Sequence, residues 1–247
     1  MVFGSGQPRR CDAAVRRPPE PKRPGPGRQP SRSHGFDRLG RSGDCRPTCR
    51  LDDRQVTRRL VHQGVHKANF AGNAFNPCKG GPSRFAPLHD GSGQCIPTSY
   101  AATTLDGAAF ESVFHGIRDK YESVRREDLD KYSISSLETG PALDLVPFFT
   151  PELLRWRIDP SEFFRPSDAA YAHCRTLAFR AWRDNPGAHG LVWSSVRDSH
   201  ADAMLLFGDR LSPSDLGLAA SRPVRTDSTA LADLETAGQR AGLTIVR

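Results

Sequence analysis

The first 50 residues cannot build a hydrophobic core, and this feature most limits what the chain can fold into. They contain eight prolines and seven glycines, with few large apolar side chains. Such a segment buries too little apolar surface to offset the conformational entropy lost on ordering. We therefore predict a disordered, Pro/Gly/Arg-rich basic head over residues 1–50. The remaining residues, 51–247, are long enough for one folded domain with an ordinary core.

The positive charge of the chain is concentrated in this basic head. Residues 1–50 carry a net charge of +8, whereas residues 51–247 carry −1. The sequence pI of 9.4 is therefore poor evidence that the folded part binds nucleic acid. No apolar run of membrane-spanning length is present, and no signal-peptide pattern opens the chain. These features predict a cytoplasmic protein with no membrane span.

The six cysteines do not form a dense framework of the kind found in small secreted domains. They are Cys11, Cys45, Cys49, Cys78, Cys95 and Cys174. Without an export signal, this pattern predicts reduced thiols. Cys45 and Cys49 have a spacing that can chelate a metal. No second pair follows at a matching distance, so no zinc site is predicted.

Short strands and helices alternate along the folded part, beginning near Val56, and this favours an α+β fold. Gly140-Pro141 is a turn signal, and Asn185-Pro186-Gly187 ends the clearest helix. The predicted helices are Leu105–Ile117, Ser167–Arg183 and Thr229–Ala241. The predicted strands are Ser99–Ala102, Ile134–Leu137, Leu143–Phe148, Gly190–Ser195, Ala203–Phe207 and Leu243–Val246.

Three polar positions stand where a plain fold would not require them. Arg84 follows a glycine-rich bend, which would let the backbone approach a phosphate while the guanidinium binds two of its oxygens. Glu111 lies among small apolar residues that would leave room for a ligand. Ser195 ends a predicted strand, where a hydroxyl can bind a sugar or an amide.

Each position also has an ordinary structural interpretation. Arg84 is then a solvated loop arginine, Glu111 is an exposed residue contacting His115 one helical turn away, and Ser195 simply ends its strand. The sequence contains no nucleophile elbow, no phosphate-binding P-loop and no dinucleotide-binding glycine fingerprint. Those three enzyme classes are therefore disfavoured.

Taken in order, these segments resemble the RES-domain family, which is named for its arginine, glutamate and serine. The resemblance covers roughly residues 56–246. The segments that carry it are Ser83–Leu88, Pro97–Thr104, Ala108–His115, Gly190–Ser195 and Leu205–Arg210.

The resemblance implies an ADP-ribosyltransferase-like split β core with flanking helices around an NAD-binding cleft. By position, Arg84, Tyr100, Glu111 and Ser195 correspond to the family's site residues, with Ser194 a neighbouring alternative to Ser195. The family also has an arginine near the domain start. Arg59, ahead of Val61-His62, is the best match to it.

The implied activity is that of a bacterial toxin that cleaves NAD at the nicotinamide–ribose bond. NAD is the substrate, and no metal is required. Glu111 would stabilise positive charge on the ribose, Arg84 with Arg59 would bind the pyrophosphate, and Tyr100 would frame the nicotinamide. Ser195 would bind the ribose or the departing carboxamide.

The resemblance also implies a cognate helix-turn-helix-type antitoxin as partner and leaves a homodimer open. Water and inorganic phosphate both remain open as acceptors of the ADP-ribosyl group. Two alternative functions remain. One is an ADP-ribosyltransferase that modifies a protein, and the other is a non-enzymatic, basic nucleic-acid-binding protein that uses the head.

Overall fold

The computed structural model describes residues 56–58, 61–115, 123–140, 142–164 and 171–247. All of them fall within one compact unit, Cys45–Arg247. The basic head and Arg59, and with them the predicted disorder, lie outside the described residues. No helix in the described ranges is long and apolar enough to cross a membrane.

The described ranges hold twelve strands and six helices that alternate along the chain. The strands are β1 (Val56–Arg58), β2 (Val61–Lys67), β3 (Leu88–His89), β4 (Cys95–Ile96), β5 (Thr98–Ala102), β6 (Ser123–Arg125), β7 (Tyr132–Thr139), β8 (Leu143–Pro147), β9 (Gly190–Ser194), β10 (Asp202–Phe207), β11 (Leu216–Pro223) and β12 (Thr244–Val246). The helices are α1 (Leu105–Phe110), α2 (Arg126–Leu129), α3 (Thr150–Arg155), α4 (Pro160–Phe164), α5 (Tyr171–Asp184) and α6 (Ser228–Arg240).

Eight strands form one sheet in the order β1-β8-β9-β10-β5-β2-β7-β11. Its neighbours pair antiparallel, except for the parallel pair β8 and β9. Within the described residues, β2 and β5 share a single register pair, Gln63 with Ala102. The sheet is therefore split at this point into two halves, and the predicted α+β class with a split β core is confirmed.

Helices cover the two halves of the sheet in separate hydrophobic clusters. Cys174, Leu177, Ala178 and Ala181 recur at helical spacing on α5 and pack in one cluster with β9 and β10. Helices α1 and α6 pack together in a second cluster with β2 and β7. The continuous apolar run of β10 is buried on both faces of the sheet, as expected of a central strand.

The helix predicted to run from Leu105 to Ile117 is shorter than the sequence pattern indicates. α1 ends at Phe110, and residues 111–115 form turns. The Ser112 hydroxyl donates to the carbonyl of Ala108, which is one of the local side-chain bonds that compete with regular helix. The turns return the chain to the core, where Phe114 is fully buried and packs near Phe110.

The prediction of reduced thiols is wrong for two of the six cysteines. Cys78 and Cys95 form a disulfide, with their Cα atoms 5.9 Å apart. The disulfide joins positions 17 residues apart, and Cys95 lies in β4, opposite His89 of β3. Cys174 is a free, buried thiol. The disulfide therefore closes a covalent loop of the chain, and Arg84 lies within this loop.

Arg210 stabilises the C-terminal end of α5 and gives a stability prediction. Its Nη1 atom donates to the carbonyls of Asn185 and Ala188, each at 2.6 Å, and its Nη2 atom donates to the carbonyl of Trp182. A cation at this end of a helix also interacts favourably with the helix dipole.

Replacing Arg210 by methionine is expected to lower the free energy of unfolding by about 3 kcal/mol, because three carbonyls lose charged donors. For a domain of this size, that corresponds to a fall of roughly 6–12 °C in the melting temperature. Thermal denaturation followed by circular dichroism measures the change. Replacing the exposed Arg225 by methionine is the control, and equal melting temperatures of the two variants would contradict this role.

Candidate active site

The four predicted site residues that the structure describes come from four separate parts of the chain. Arg84 lies in the segment between β2 and β3, and Tyr100 lies in β5. Glu111 directly follows α1, and Ser195 directly follows β9. β5 and β9 both pair with β10, so the sheet brings the segments of Tyr100 and Ser195 to one region.

Glu111 and Ser195 form a hydrogen-bonded pair although 84 residues separate them. The Ser195 hydroxyl donates to Oε1 of Glu111 at 3.0 Å. Ser195 is only 3% exposed, and Glu111 is half-buried. Of the two adjacent serines, Ser195 is the one whose hydroxyl meets the carboxylate. Oε2 of Glu111 makes no hydrogen bond within the described residues, so it is available to a ligand.

The turn after Ser195 is fixed against the start of α1. The backbone N–H of Asp198 donates to Ser195 Oγ at 3.3 Å, and the Thr104 hydroxyl donates to the Asp198 carboxylate at 3.4 Å. Thr104 also caps α1 by accepting from the N–H of Gly107. A Cβ atom at Gly107 would lie 2.5 Å from that of Ala201, so only glycine permits this approach.

Asp198 contributes to the site geometry, but the sequence analysis did not identify it. Its side chain is 5% exposed, and its contacts hold the turn that carries Ser195 to the helix that precedes Glu111. The local sequence Arg197-Asp198-Ser199 is typical of a polar surface turn. Only the tertiary contact with Thr104 reveals the role of Asp198.

The Tyr100 hydroxyl holds the segment that carries Arg84. It shares a hydrogen bond of 3.0 Å with the Ser83 hydroxyl and accepts from the N–H of Phe85 at 3.2 Å. The indole of Trp193 lies against both aromatic neighbours, with its ring centroid 4.7 Å from that of Phe85 and 6.3 Å from that of Tyr100. Tyr100 is therefore the structural support of the arginine segment.

Burial raises the pKa of Tyr100 to about 12, against an ordinary value of 10.0. The hydrogen bonds from Ser83 and Phe85 and the positive charge of Arg84 lower this pKa, and the negative charge of Glu111 raises it further. Both charged side chains therefore act on the same hydroxyl.

Arg84 is a half-buried cation whose hydrogen-bonding capacity is largely unused. Its Nη2 atom donates to the carbonyl of Phe164 at a long 3.5 Å. Its Nε and Nη1 atoms are buried and have no hydrogen-bond partner among the described residues. Buried charged donors without partners are costly, and an anion that reached these two nitrogens would satisfy them.

A separate basic cavity of about 520 Å³ lies elsewhere in the described part of the chain. It is lined by side chains that include Lys67, Arg125, Lys131 and Tyr132. None of the four predicted site residues lines it. Arg125 and Lys131 both pair with Asp128, which reduces the positive charge available there.

The high pKa of Tyr100 predicts how stability depends on pH in alkaline solution. The raised pKa means that the folded state favours the neutral phenol of Tyr100. This contribution to the free energy of unfolding is complete below pH 10 and is lost as pH rises toward about 12. The loss should amount to about 3 kcal/mol. Tyr100→Phe removes the ionisable group, so its free energy of unfolding should fall less than that of the wild type over this interval.

Urea denaturation at several values between pH 9 and pH 12 measures the difference. Tyr132→Phe, at a half-buried tyrosine of β7, is the matched control for the loss of a tyrosine hydroxyl. Identical pH profiles for wild type and Tyr100→Phe would contradict a buried Tyr100 hydroxyl.

The fold and the site define an α+β protein with a split sheet and a polar site assembled from distant segments. This site contains a hydrogen-bonded serine–glutamate pair and an arginine whose N–H donors are partly unsatisfied. The model of the RES domain matches residues 56–233, and the chain belongs to the RES-domain family.

A solved structure supports this fold. The chain is similar to one in the crystal structure of the M. tuberculosis MbcT-MbcA toxin–antitoxin complex, with a TM-score of 0.55 and 11% sequence identity. The similarity covers 74% of this chain and 92% of the other. Among curated proteins, none matches the chain.

Proposed function

We propose that this RES-domain protein is the toxin of a toxin–antitoxin pair and that it cleaves NAD at the nicotinamide–ribose bond. The observation that carries the proposal is the Glu111–Ser195 pair. Tyr100, whose hydroxyl feels the charges of both Glu111 and Arg84, contacts the segment that carries the unsatisfied guanidinium of Arg84. A carboxylate and a cation so arranged suit a substrate that develops positive charge at a sugar and carries a diphosphate. Membership of the family and the fold shared with a toxin support the same proposal.

The chemistry of NAD explains why a carboxylate is needed. Nicotinamide leaves as a neutral molecule when the bond between its ring nitrogen and ribose C1′ breaks, and the bonding electrons return to the ring. Positive charge then develops on the ribose, and the carboxylate of Glu111 stabilises it. Ser195 donates to Oε1, which fixes the carboxylate and directs Oε2 to the ribose. Water or inorganic phosphate then forms the new bond to C1′, and a water nucleophile releases one proton.

The other predicted residues bind and position the substrate in this proposal. Arg84 binds the pyrophosphate through its guanidinium, with Arg59 assisting. Tyr100 holds the Arg84 segment through its hydroxyl and frames the nicotinamide with its ring. No metal takes part.

The proposal extends to the partner and the cellular setting. A toxin that consumes NAD acts where NAD is made, which is the cytoplasm, and the cell that makes it needs an inhibitor. We therefore propose a helix-turn-helix-type antitoxin as partner. The structurally similar toxin was crystallised with its antitoxin, which supports an antitoxin partner of this chain.

Incubating the purified protein with NAD, with and without inorganic phosphate, tests the proposal directly. We expect free nicotinamide, together with ADP-ribose in water or its phosphorylated form when phosphate is the acceptor. Chromatography and mass spectrometry identify the products. ADP-ribose attached to protein would instead support the transferase alternative, and unconsumed NAD would reject NAD cleavage.

A truncated chain tests whether the basic head contributes to catalysis. A protein starting at Leu51 should retain its NAD turnover, because the family match begins at residue 56 and the head cannot form a core. Steady-state kinetics of the full and truncated chains measure the effect. Loss of turnover in a truncated protein with an unchanged melting temperature would show that the head completes the site.

A further inference from the structure

Arg175 on α5 contacts the segment that carries Arg84. Its Nη1 atom donates to the carbonyl of Ser83 at 3.0 Å, across a separation of 92 residues. That carbonyl belongs to the peptide unit that joins Ser83 to Arg84. The guanidinium of Arg175 therefore lies against the backbone from which Arg84 extends.

The charges of the two arginines act on a common neighbour. Cys174 is 1% exposed, and burial raises the pKa of its thiol. The positive charges of Arg84 and Arg175 lower the same pKa. The charges of a loop arginine and of a helix arginine therefore both act on one buried thiol.

Neither arginine is neutralised by a carboxylate among the described residues. Arg84 has two buried nitrogens without partners, and the contact of Arg175 with Ser83 uses one of its five N–H donors. Two cations that contact the same segment, with no carboxylate beside them in the described ranges, repel each other and are costly to keep partly buried. A ligand with two negative charges would offset both the repulsion between the cations and the cost of their partial burial.

We infer that Arg175 is a second arginine of the anion subsite and binds, together with Arg84, the diphosphate of a nucleoside diphosphate or dinucleotide. The inference deepens the proposed function, on which the identity of the dinucleotide rests. Two guanidinium groups can each bind two oxygens of such a ligand. The contact with Ser83 holds Arg175 in place for this role.

Isothermal titration of the full-length protein with ADP and with adenosine tests the inference, because the two ligands differ only by the diphosphate. The wild type should bind ADP more tightly than adenosine. Arg175→Gln should weaken ADP binding roughly 10- to 100-fold and leave adenosine binding unchanged. Arg180→Gln, on the same helix, is the matched control and should change neither.

Arg175→Lys separates charge from geometry. It keeps the charge without the planar fork, so we expect a loss of ADP affinity smaller than that of the glutamine variant. The lysine variant also tests whether Arg175 binds the diphosphate if Arg175→Gln does not fold. An unchanged ADP affinity in the lysine variant would overturn the inference. An equal loss for ADP and adenosine would overturn it as well, because that pattern indicates a purely structural role.

The ADP and adenosine affinities are measured independently of NAD turnover. A wild type that cleaves NAD but binds ADP no more tightly than adenosine would reject the diphosphate subsite and leave the proposed function standing. A wild type that does not cleave NAD, yet loses ADP affinity in the Arg175 variants, would reject the proposed function alone.

Discussion

Replacing Glu111 by glutamine is expected to lower NAD turnover about a thousandfold, which corresponds to about 4 kcal/mol of lost transition-state stabilisation. Glutamine keeps the size of the side chain and an oxygen that can accept from Ser195, 3.0 Å away in the native pair. It removes the negative charge that stabilises the positive ribose. Steady-state kinetics with NAD measure the loss. The melting temperature should change little, because Glu111 lies outside the core clusters.

Glu138→Gln is the matched control for this experiment. Glu138 is exposed on β7, so the substitution removes the same charge from a surface position. Its turnover should equal that of the wild type. Wild-type turnover in the Glu111 variant would remove Glu111 from the catalytic role, and a large fall in its melting temperature would point to a structural one.

Expression without an antitoxin is expected to arrest bacterial growth through loss of NAD, and Arg84→Ala is expected to relieve the arrest. Losing one charged, bidentate contact in a partly desolvated site should cost about 2–4 kcal/mol of binding or transition-state stabilisation. That corresponds to a roughly thirty- to several-hundred-fold loss of turnover. Such a loss would let cellular resynthesis of NAD keep pace with its destruction.

Intracellular NAD, measured after induction, distinguishes this result from an effect of the basic head. We expect NAD to fall with the wild type and with a chain lacking residues 1–50, but not with Arg84→Ala. Arrest caused by non-specific nucleic-acid binding should persist in Arg84→Ala and disappear with the head, which carries the +8 charge. Arrest at normal NAD levels would reject the enzymatic proposal in favour of that alternative.

Local sequence patterns predicted most of the elements that form the centre of the fold. The apolar runs of β9 and β10 and the helical spacing on α5 and α6 were recognisable because their periodicity reflects burial. β11 was missed, since six consecutive residues, Gly217–Arg222, lack the alternation of buried and exposed side chains. Helices α3 and α4, of six and five residues, were too short to show a periodic pattern.

Pairing between distant strands was not predictable from the sequence. β7 and β8 are consecutive and separated by a turn signal, yet β7 pairs with β2 and β11, whereas β8 pairs with β1 and β9. The disulfide between Cys78 and Cys95 was missed because the lack of an export signal and of a dense cysteine framework predicted reduced thiols. Such pairings depend on which surfaces bury one another. The local sequence of a strand does not show which other strand it pairs with.

The sequence by itself determined the α+β class, the family resemblance and the identities of Arg84, Tyr100, Glu111 and Ser195 as candidates. The fold class follows from periodicity, Arg84, Glu111 and Ser195 follow from residue type and setting, and Tyr100 follows from the family resemblance. Only the tertiary structure decided which of these groups meet. The Glu111–Ser195 bond spans 84 residues, the Arg175–Ser83 bond spans 92, and the Asp198–Thr104 contact spans 94. Contacts over such separations arise because the split sheet and its helices bury their apolar faces together, which fixes the polar side chains at their edges.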